Sequence, residues 1–204
     1  YVQVGASSRP RLMKEALEQH GLRDIAEYAS IAFDLAAYAS AGIIREGGDN
    51  LPYISTYCPA VIRLIQINFP ELTGRILPVE SPLETAVTIW REATGAKEKV
   101  TLVAPCPAKA TLVRNPVGRK KSSIEYVVSV KRVIRDLLAY NVKVAGTRTK
   151  AISRRWLLWS ISGGESRHIA SFCDKGLTSV SVSGLRNTMD LLNELELGRL
   201  NGVD

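Results

Sequence analysis

Apolar residues recur at helical spacing in several stretches of the chain, with short continuous apolar runs between them. "PAVIRLIQINF" places apolar residues at 61, 62, 64, 65 and 69, one face of an amphipathic helix, and Pro70 ends it. "SPLETAVTIWREATG" predicts another helix with clear punctuation. Ser81 suits the N-cap, Pro82 the first helical position and Glu84 the third position of a capping box, and Gly95 closes it. "FDLAAYASAGIIRE" is Ala-rich with helical spacing, and "GGDN" breaks it. "VKRVIRDLLAYN" and "LRNTMDLLNELELG" predict two more helices, the last ended by Gly198. Pro10 opens a helix that runs to His20, a capping or surface histidine, and Gly21 stops it.

The runs between these helices read as strands. "KVTLVA" is continuously apolar, the pattern of a parallel strand covered on both faces. "YVQVGA", "RDIAEYA", "IEYVVSV" and "LTSVSVSG" predict further strands, and "LPYIST" is a short extended run. "WLLWSISGGESRHIASF" holds a glycine pair and a helix start. "SGGES" reads as a tight turn, with an anion cradle as the alternative. Strands alternating with helices predict an α/β fold, two-lobed, with mostly parallel sheets flanked by helices. The Pro- and Gly-bearing loop "RNPVGRKKSS" sets the expected boundary, giving lobes 1–115 and 116–204.

Composition adds limits. With 204 residues, 46% of them hydrophobic, the chain can bury a core of one large domain or two small lobes. No stretch approaches the roughly 20 apolar residues of a membrane span. There is neither a signal-peptide pattern nor an initiator Met, so the chain reads as an excerpt of something longer. Cys58, Cys106 and Cys173 are an odd number and far apart. That argues against a disulfide framework and for a reducing, cytoplasmic setting. The +7 net charge is uneven: 13 Lys/Arg and 2 Asp/Glu fall between Lys109 and Arg155. Such a block is a solvated face or a dock for an acidic partner. No recognised nucleic-acid motif accompanies it.

The chemistry gathers at two cysteines beside prolines, in "STYCPAVIRLIQINFP" and "LVAPCPAK". Pro59 at the first helical position makes Cys58 an N-cap, where unpaired N–H groups favour a thiolate. Cys106 follows a parallel strand, at the edge where open α/β sheets bind ligands. Two thiolates in one crevice would suit a soft metal or an iron–sulfur cluster. Isolated cysteines are also commonly small buried hydrophobes, and no Cys-x-x-Cys pair is present. With His20 and His168 as its only histidines and no G-x-S-x-G elbow, the chain gives Ser/His/Asp catalysis little support.

"STYCPAVIRLIQINFPEL", "SPLE" and "VTLVAPCPAKA" together resemble the active-site domain of iron-iron hydrogenases, which carries "TSCCP…PEL…SP" followed by "PCxxKK". "SIEYVVSVKRVIRDLL", "SISGGESRHIA" and "VSVSGLRNTMDLL" continue the likeness in order. The resemblance implies a four-iron four-sulfur cluster joined to a di-iron unit, held by four cysteines, with dihydrogen as substrate. Cys58 and Cys106 match two of those ligands. Lys109 matches the lysine that contacts a cyanide of the di-iron unit. Ser81 and Pro82 match a pair lining the pocket, and Gly5, Ala6 and Ser7 match small residues near the other cyanide.

The departures bear on rate. Tyr57 stands where the family has its proton-delivering cysteine, and a phenol of pKa near ~10 is a poorer shuttle than a thiol near ~8.5. Ala37 and Ser40 fall at the carboxylates of the family's proton path, Leu77 at its serine, and Ala110 at the second lysine. The family's C-terminal "CxxxC" is absent before Asp204, and Cys173 has no assigned role. The implied protein is a divergent, sensory or low-turnover hydrogenase, apo as this fragment, with the missing ligands expected beyond Asp204. Its implied partners are flanking ferredoxin-like or signalling domains. The rival is a metal-free interaction domain whose basic 109–155 block docks an acidic partner or nucleic acid.

Overall fold

A computed structural model describes residues 17–19, 21–47, 51–139, 156–200 and 202–204. The expected strand "YVQVGA", most of the Pro10 helix, and His20 lie outside them. Residues 17–19 are helical, and Gly21 at φ 73° ends the turn, its N–H donating to the Glu18 carbonyl. The fold is α/β, as the alternation predicts. Among the described residues, no helix is long and apolar enough to cross a membrane.

The chain divides into two compact units. The first takes Tyr1–Ser30 and Glu84–Ser153, the second Ile31–Leu83 and Arg154–Asp204. The expected boundary at 115/116 falls inside the first unit. Helix α1, Ala26–Glu46, carries the chain from the first unit into the second. "RDIAEYA" was expected as a strand and is instead the approach and first turns of this helix. Asp24 Oδ1 accepts the Ala26 N–H at 2.9 Å, and the Ala-rich run beyond sustains the helix. Its buried face holds Ala32, Phe33, Ala36, Ala37, Ser40 and Ala41.

In the second unit, helix α2, Pro59–Asn68, buries Ile62 and Ile65, two of the positions its periodicity marks. A 3-10 turn, Pro70–Arg75, follows. Ile65, Phe69 and Leu72 pack with Leu192 and Leu195, and Ile54, Val61, Leu64, Ile76 and Leu200 complete the core. Fully burying a side chain of this kind contributes roughly 1.5–3 kcal/mol.

In the first unit, helix α3 (Pro82–Thr94, entered from the second unit) buries Ala86, Val87 and Trp90. Strand β1, Thr101–Ala104, pairs in parallel with β2, Tyr126–Ser129, with Thr101 opposite Tyr126 and Ala104 opposite Ser129. Helix α4, Ala108–Arg114, lies between them in sequence, and helix α5, Val130–Ala139, follows β2. "KVTLVA" was expected to be covered on both faces; instead Thr101 and Val103 are exposed, and only Ala104 of β1 is buried.

The 3-10 turn Trp156–Ser160, helix α6 (Gly164–Ala170) and helix α7 (Leu185–Glu196) belong to the second unit. Gly163 adopts φ 73°, and a Cβ on Gly164 would collide with the Leu158 carbonyl. The glycine pair therefore lets helix α6 start directly against the preceding turn. "LTSVSVSG" was expected as a strand, but residues 177–183 form no ladder. Thr178 instead exchanges bonds with Asp204, through its N–H to Oδ2 at 2.8 Å and its carbonyl to the Asp204 N–H at 3.0 Å.

Candidate functional site

Cys58 stands where an extended segment becomes helix α2. The Leu77 N–H donates to the Ile54 carbonyl at 2.9 Å, and Thr56 Oγ1 donates to the Val79 carbonyl at 3.3 Å. These side-by-side segments lead to Cys58 at the start of α2 and Ser81 before α3. Cys58 is the N-cap, in extended conformation, with Pro59 at the first helical position. Its side chain makes no capping bond and its thiol is exposed. First-turn N–H groups and the positive helix end thus stand beside an accessible sulfur. Tyr57, half-buried, sets its ring edgewise to Trp159 at 5.2 Å and to Phe33 at 6.0 Å. The Tyr57 N–H donates to Ser55 Oγ at 3.0 Å, and Ser55 donates to the Glu165 carboxylate at 2.6–2.7 Å, tying this corner to helix α6. A cavity of about 410 Å³ lies here within the second unit, lined in part by Tyr57, Cys58, Trp159, Val180 and Leu192. Among the described residues its charged lining is Glu165 and Asp204, both acidic.

Cys106 stands past the end of β1, in the turn Pro105–Cys106–Pro107 that leads into α4. Pro107, not the cysteine, is the N-cap, and the Ala110 N–H donates to its carbonyl at 2.9 Å. Cys106 is exposed, whereas Lys109 in the first turn of α4 is buried, 7% exposed. A buried ammonium is costly unless its environment supplies acceptors. The loop after α4 is fixed by Glu84, itself 2% exposed. Its carboxylate accepts from Arg119 Nη1 at 2.8 Å, the Ser123 N–H at 2.8 Å and Ser122 Oγ. Glu84 was expected at the third position of a capping box; its carboxylate reaches instead across 35–39 residues of sequence to hold this loop.

Tyr57, Cys58, Ser81 and Pro82 belong to the second unit, and Cys106 and Lys109 to the first. Ser81 is half-buried and Pro82 buried. Gly5, Ala6 and Ser7 lie outside the described residues. Cys173 differs from the other two thiols. Its Sγ lies 3.5 Å from the Ile169 carbonyl. Burial pushes its pKa up, the Asp204 and Asp174 charges add to that, and Arg45 opposes it. A thiol so placed is a weaker ligand and nucleophile at neutral pH.

Residues 2–163 match the family described as iron only hydrogenase large subunit, C-terminal domain. The chain belongs to this family. The matched span contains both cysteine corners, Tyr57, Ser81, Pro82, Lys109 and Ser7, and ends at the first glycine of the pair that opens α6. No curated protein matches the chain. Membership of the hydrogenase family makes an iron–sulfur cofactor the chemistry its donors have to suit. Cys58 of the second unit and Cys106 of the first are each a soft, accessible thiol at a backbone corner, the donor chemistry that an iron–sulfur cofactor takes. Among the described residues, no group of three or more His, Cys, Asp or Glu side chains gathers.

Sequence reasoning missed the Glu84 anchor, the Ser55–Glu165 bond and the pairing of Trp159 with His168. Glu165 carries a local signal, since it directly follows the glycine pair. The other contacts join residues too far apart for any local pattern to reveal them.

Proposed function

We propose that this hydrogenase-family domain holds an iron–sulfur cofactor of the hydrogenase type and binds, or slowly oxidises, dihydrogen, reporting its state to a neighbouring domain in a reducing, cytoplasmic setting. The observation that carries this is family membership together with two cysteine–proline corners that keep their thiols accessible. In this reading Cys58 and Cys106 supply two cluster thiolates, and Lys109 gives a compact ammonium donor to a negatively charged ligand. Ser81, Pro82 and Ser7 line the pocket. When bound, the cofactor supplies the iron chemistry that splits or forms dihydrogen.

The chain's own residues set the rate. Ala37, Ser40 and Leu77, which the resemblance aligns with the family's proton path, are buried, and neither an alanine nor a leucine can carry a proton. Tyr57 occupies the shuttle position with a phenol, poorly matched to neutral pH. Each missing acid–base step typically costs 10²–10⁴-fold, although relay groups act as a unit and their losses need not multiply. Slow turnover therefore accompanies retained binding, which favours sensing over bulk catalysis.

The test is anaerobic reconstitution of the full-length protein, followed by iron and sulfide analysis and a dihydrogen assay. The reading expects cluster iron that depends on both Cys58 and Cys106, with turnover far below that of a catalytic hydrogenase. Iron-free protein after reconstitution would favour the metal-free interaction domain instead. That alternative draws on the exposed Arg114, Lys120, Lys121 and Lys131 of the first unit, a basic set suited to an acidic partner.

A further inference from the structure

Two edges of backbone border the cavity of the second unit, and the hydrogenase reading leaves them without a role. All of the cavity's lining belongs to that unit. One wall is residues 53–57. The Ile54 N–H donates to the Arg75 carbonyl at 2.8 Å, and the Ile54 carbonyl accepts from the Leu77 N–H at 2.9 Å, so Ile54 is bonded to one side. Successive peptide groups of an extended chain point to opposite edges, so Tyr53 and Ser55 turn theirs to the other side. There the Tyr53 N–H donates to the Asp204 carbonyl at 3.3 Å. The other wall is residues 178–182. The Thr178 N–H and carbonyl both turn to Asp204, at 2.8 and 3.0 Å, as one edge of a strand does. By the same alternation Val180 and Val182 present their peptide groups on that edge. Ser179, Val180, Ser181 and Val182 line the cavity in succession, so it is met by the edge of the segment and not by one face alone. These residues join no ladder among the described residues, and Val180 and Val182 stay 49% and 38% exposed.

Asp204 bonds to both walls at once, through its N–H to Thr178 and its carbonyl to Tyr53. It thereby sets them roughly 9.6 Å apart at that end, two strand spacings. A residue inside a strand sends its N–H and carbonyl to the same neighbour, so Asp204 closes the end of the gap instead of pairing along it. We propose that this gap is a strand-binding slot: an extended segment of another polypeptide lies between residues 53–57 and 178–182 and pairs with both edges. The lining sets the chemistry of the occupant. Main-chain groups on both sides call for an extended backbone, as in recognition by strand addition. Leu77, Leu192 and Leu195 in the lining take apolar side chains, which an extended segment offers at alternate positions. The charged lining, Glu165 and Asp204 among the described residues, is acidic, so the segment is uncharged or basic. A compact small molecule would fill the apolar part but would leave two rows of peptide groups without partners of their own kind.

The experiment needs no iron, so its outcome is independent of the hydrogenase reading. The probe is a fluorescein-labelled octapeptide of alternating valine and lysine, titrated into the full-length protein and followed by anisotropy. One control peptide carries N-methyl groups on its valine amides, which removes donors and keeps every side chain. A second control replaces lysine by glutamate. The unmodified peptide is expected to bind saturably, and each control to bind about 10-fold more weakly or worse. Val182→Pro removes a donor from the wall at an exposed position outside any ladder. It should weaken the unmodified peptide about 10-fold, with an unchanged circular dichroism spectrum. Amide hydrogen exchange in the wild type keeps the test decisive if that variant does not fold: the peptide should slow exchange at residues 179–182 and at Ser55. An N-methylated peptide that binds as tightly overturns the proposal, because side chains alone then hold it. So does unchanged exchange at the two walls, and so does a full-length protein that binds no peptide, whether the gap is closed or filled from within. Equal affinity for the glutamate peptide overturns the stated chemistry of the partner.

Discussion

At Cys58 the cysteine itself caps its helix, while at Cys106 a proline takes that place and the cysteine stands one residue outside. Both corners use an extended segment, a Cys–Pro pair and a helix, and both leave the thiol exposed. Their surroundings differ. The Cys58 corner borders an apolar cavity whose charged lining, among the described residues, is acidic, and its Tyr57 ring packs edgewise with those of Trp159 and Phe33. The Cys106 corner is followed by a buried lysine and by a loop pinned on a buried glutamate. One thiol stands at a helix N-terminus, the other three residues before a buried lysine. The same local words thus produce two chemically distinct thiol corners.

The sharpest way to break this comparison is to remove one thiol at a time. On the proposed reading, Cys58→Ala and Cys106→Ala should each abolish cluster iron and its visible absorbance after anaerobic reconstitution of the full-length protein, because a cubane cluster takes four cysteine ligands. If either variant binds as much iron as wild type, the two corners are not equivalent ligands.

The Cys106 side is expected to be the more fragile. Glu84→Ala leaves Arg119, Ser122 and the Ser123 N–H without their shared acceptor. Removing one partner of a buried pair costs about 3–5 kcal/mol, and the partly exposed Arg119 brings the expectation to about 3 kcal/mol by chemical denaturation. The Cys58 side should feel Gly164→Ala, whose Cβ meets the Leu158 carbonyl. A loss of about 2 kcal/mol is expected, as for overpacking in general. A Glu84→Ala variant as stable as wild type would remove the anchor from the account of the Cys106 corner.

The smallest effect concerns pH in the first unit. Burial raises the Glu125 carboxyl, but the Val100 N–H at 2.7 Å and Arg91 at 2.8 Å outweigh it, and the pKa falls below the ordinary 4.5. A depressed carboxylate stabilises the fold above its unfolded pKa and loses that contribution as pH falls through the folded value. The pair is about one-third exposed, so screening limits it to about 0.5 kcal/mol. Glu125→Gln should lose that amount at pH 7 and no longer lose it again on acidification, as read from urea midpoints at both pH values.

The sequence by itself determined what depends on neighbours a few residues away. Pro59 after Cys58 started α2, and apolar spacing marked its buried Ile62 and Ile65. Pro82 opened α3, and the cysteine contexts pointed to the family that residues 2–163 match. Caps, helical period and motif words are all short-range, so one stretch suffices to read them. Only the tertiary structure decided what needs a distant partner. Residues 177–183 alternate as a strand should, yet a strand exists only where another chain segment completes its ladder, and here Asp204 takes the bonds of Thr178 instead. "RDIAEYA" satisfied a strand pattern as well as a helix, and its continuation into an Ala-rich run decided the matter. Glu84 looked like a local cap and became a long-range anchor. A buried carboxylate must find donors, and the loop at 119–123 offers them. Trp159 and His168 are nine residues apart, and Asp34 lies far upstream. Their meeting is a property of packing, which no period or motif in the chain encodes.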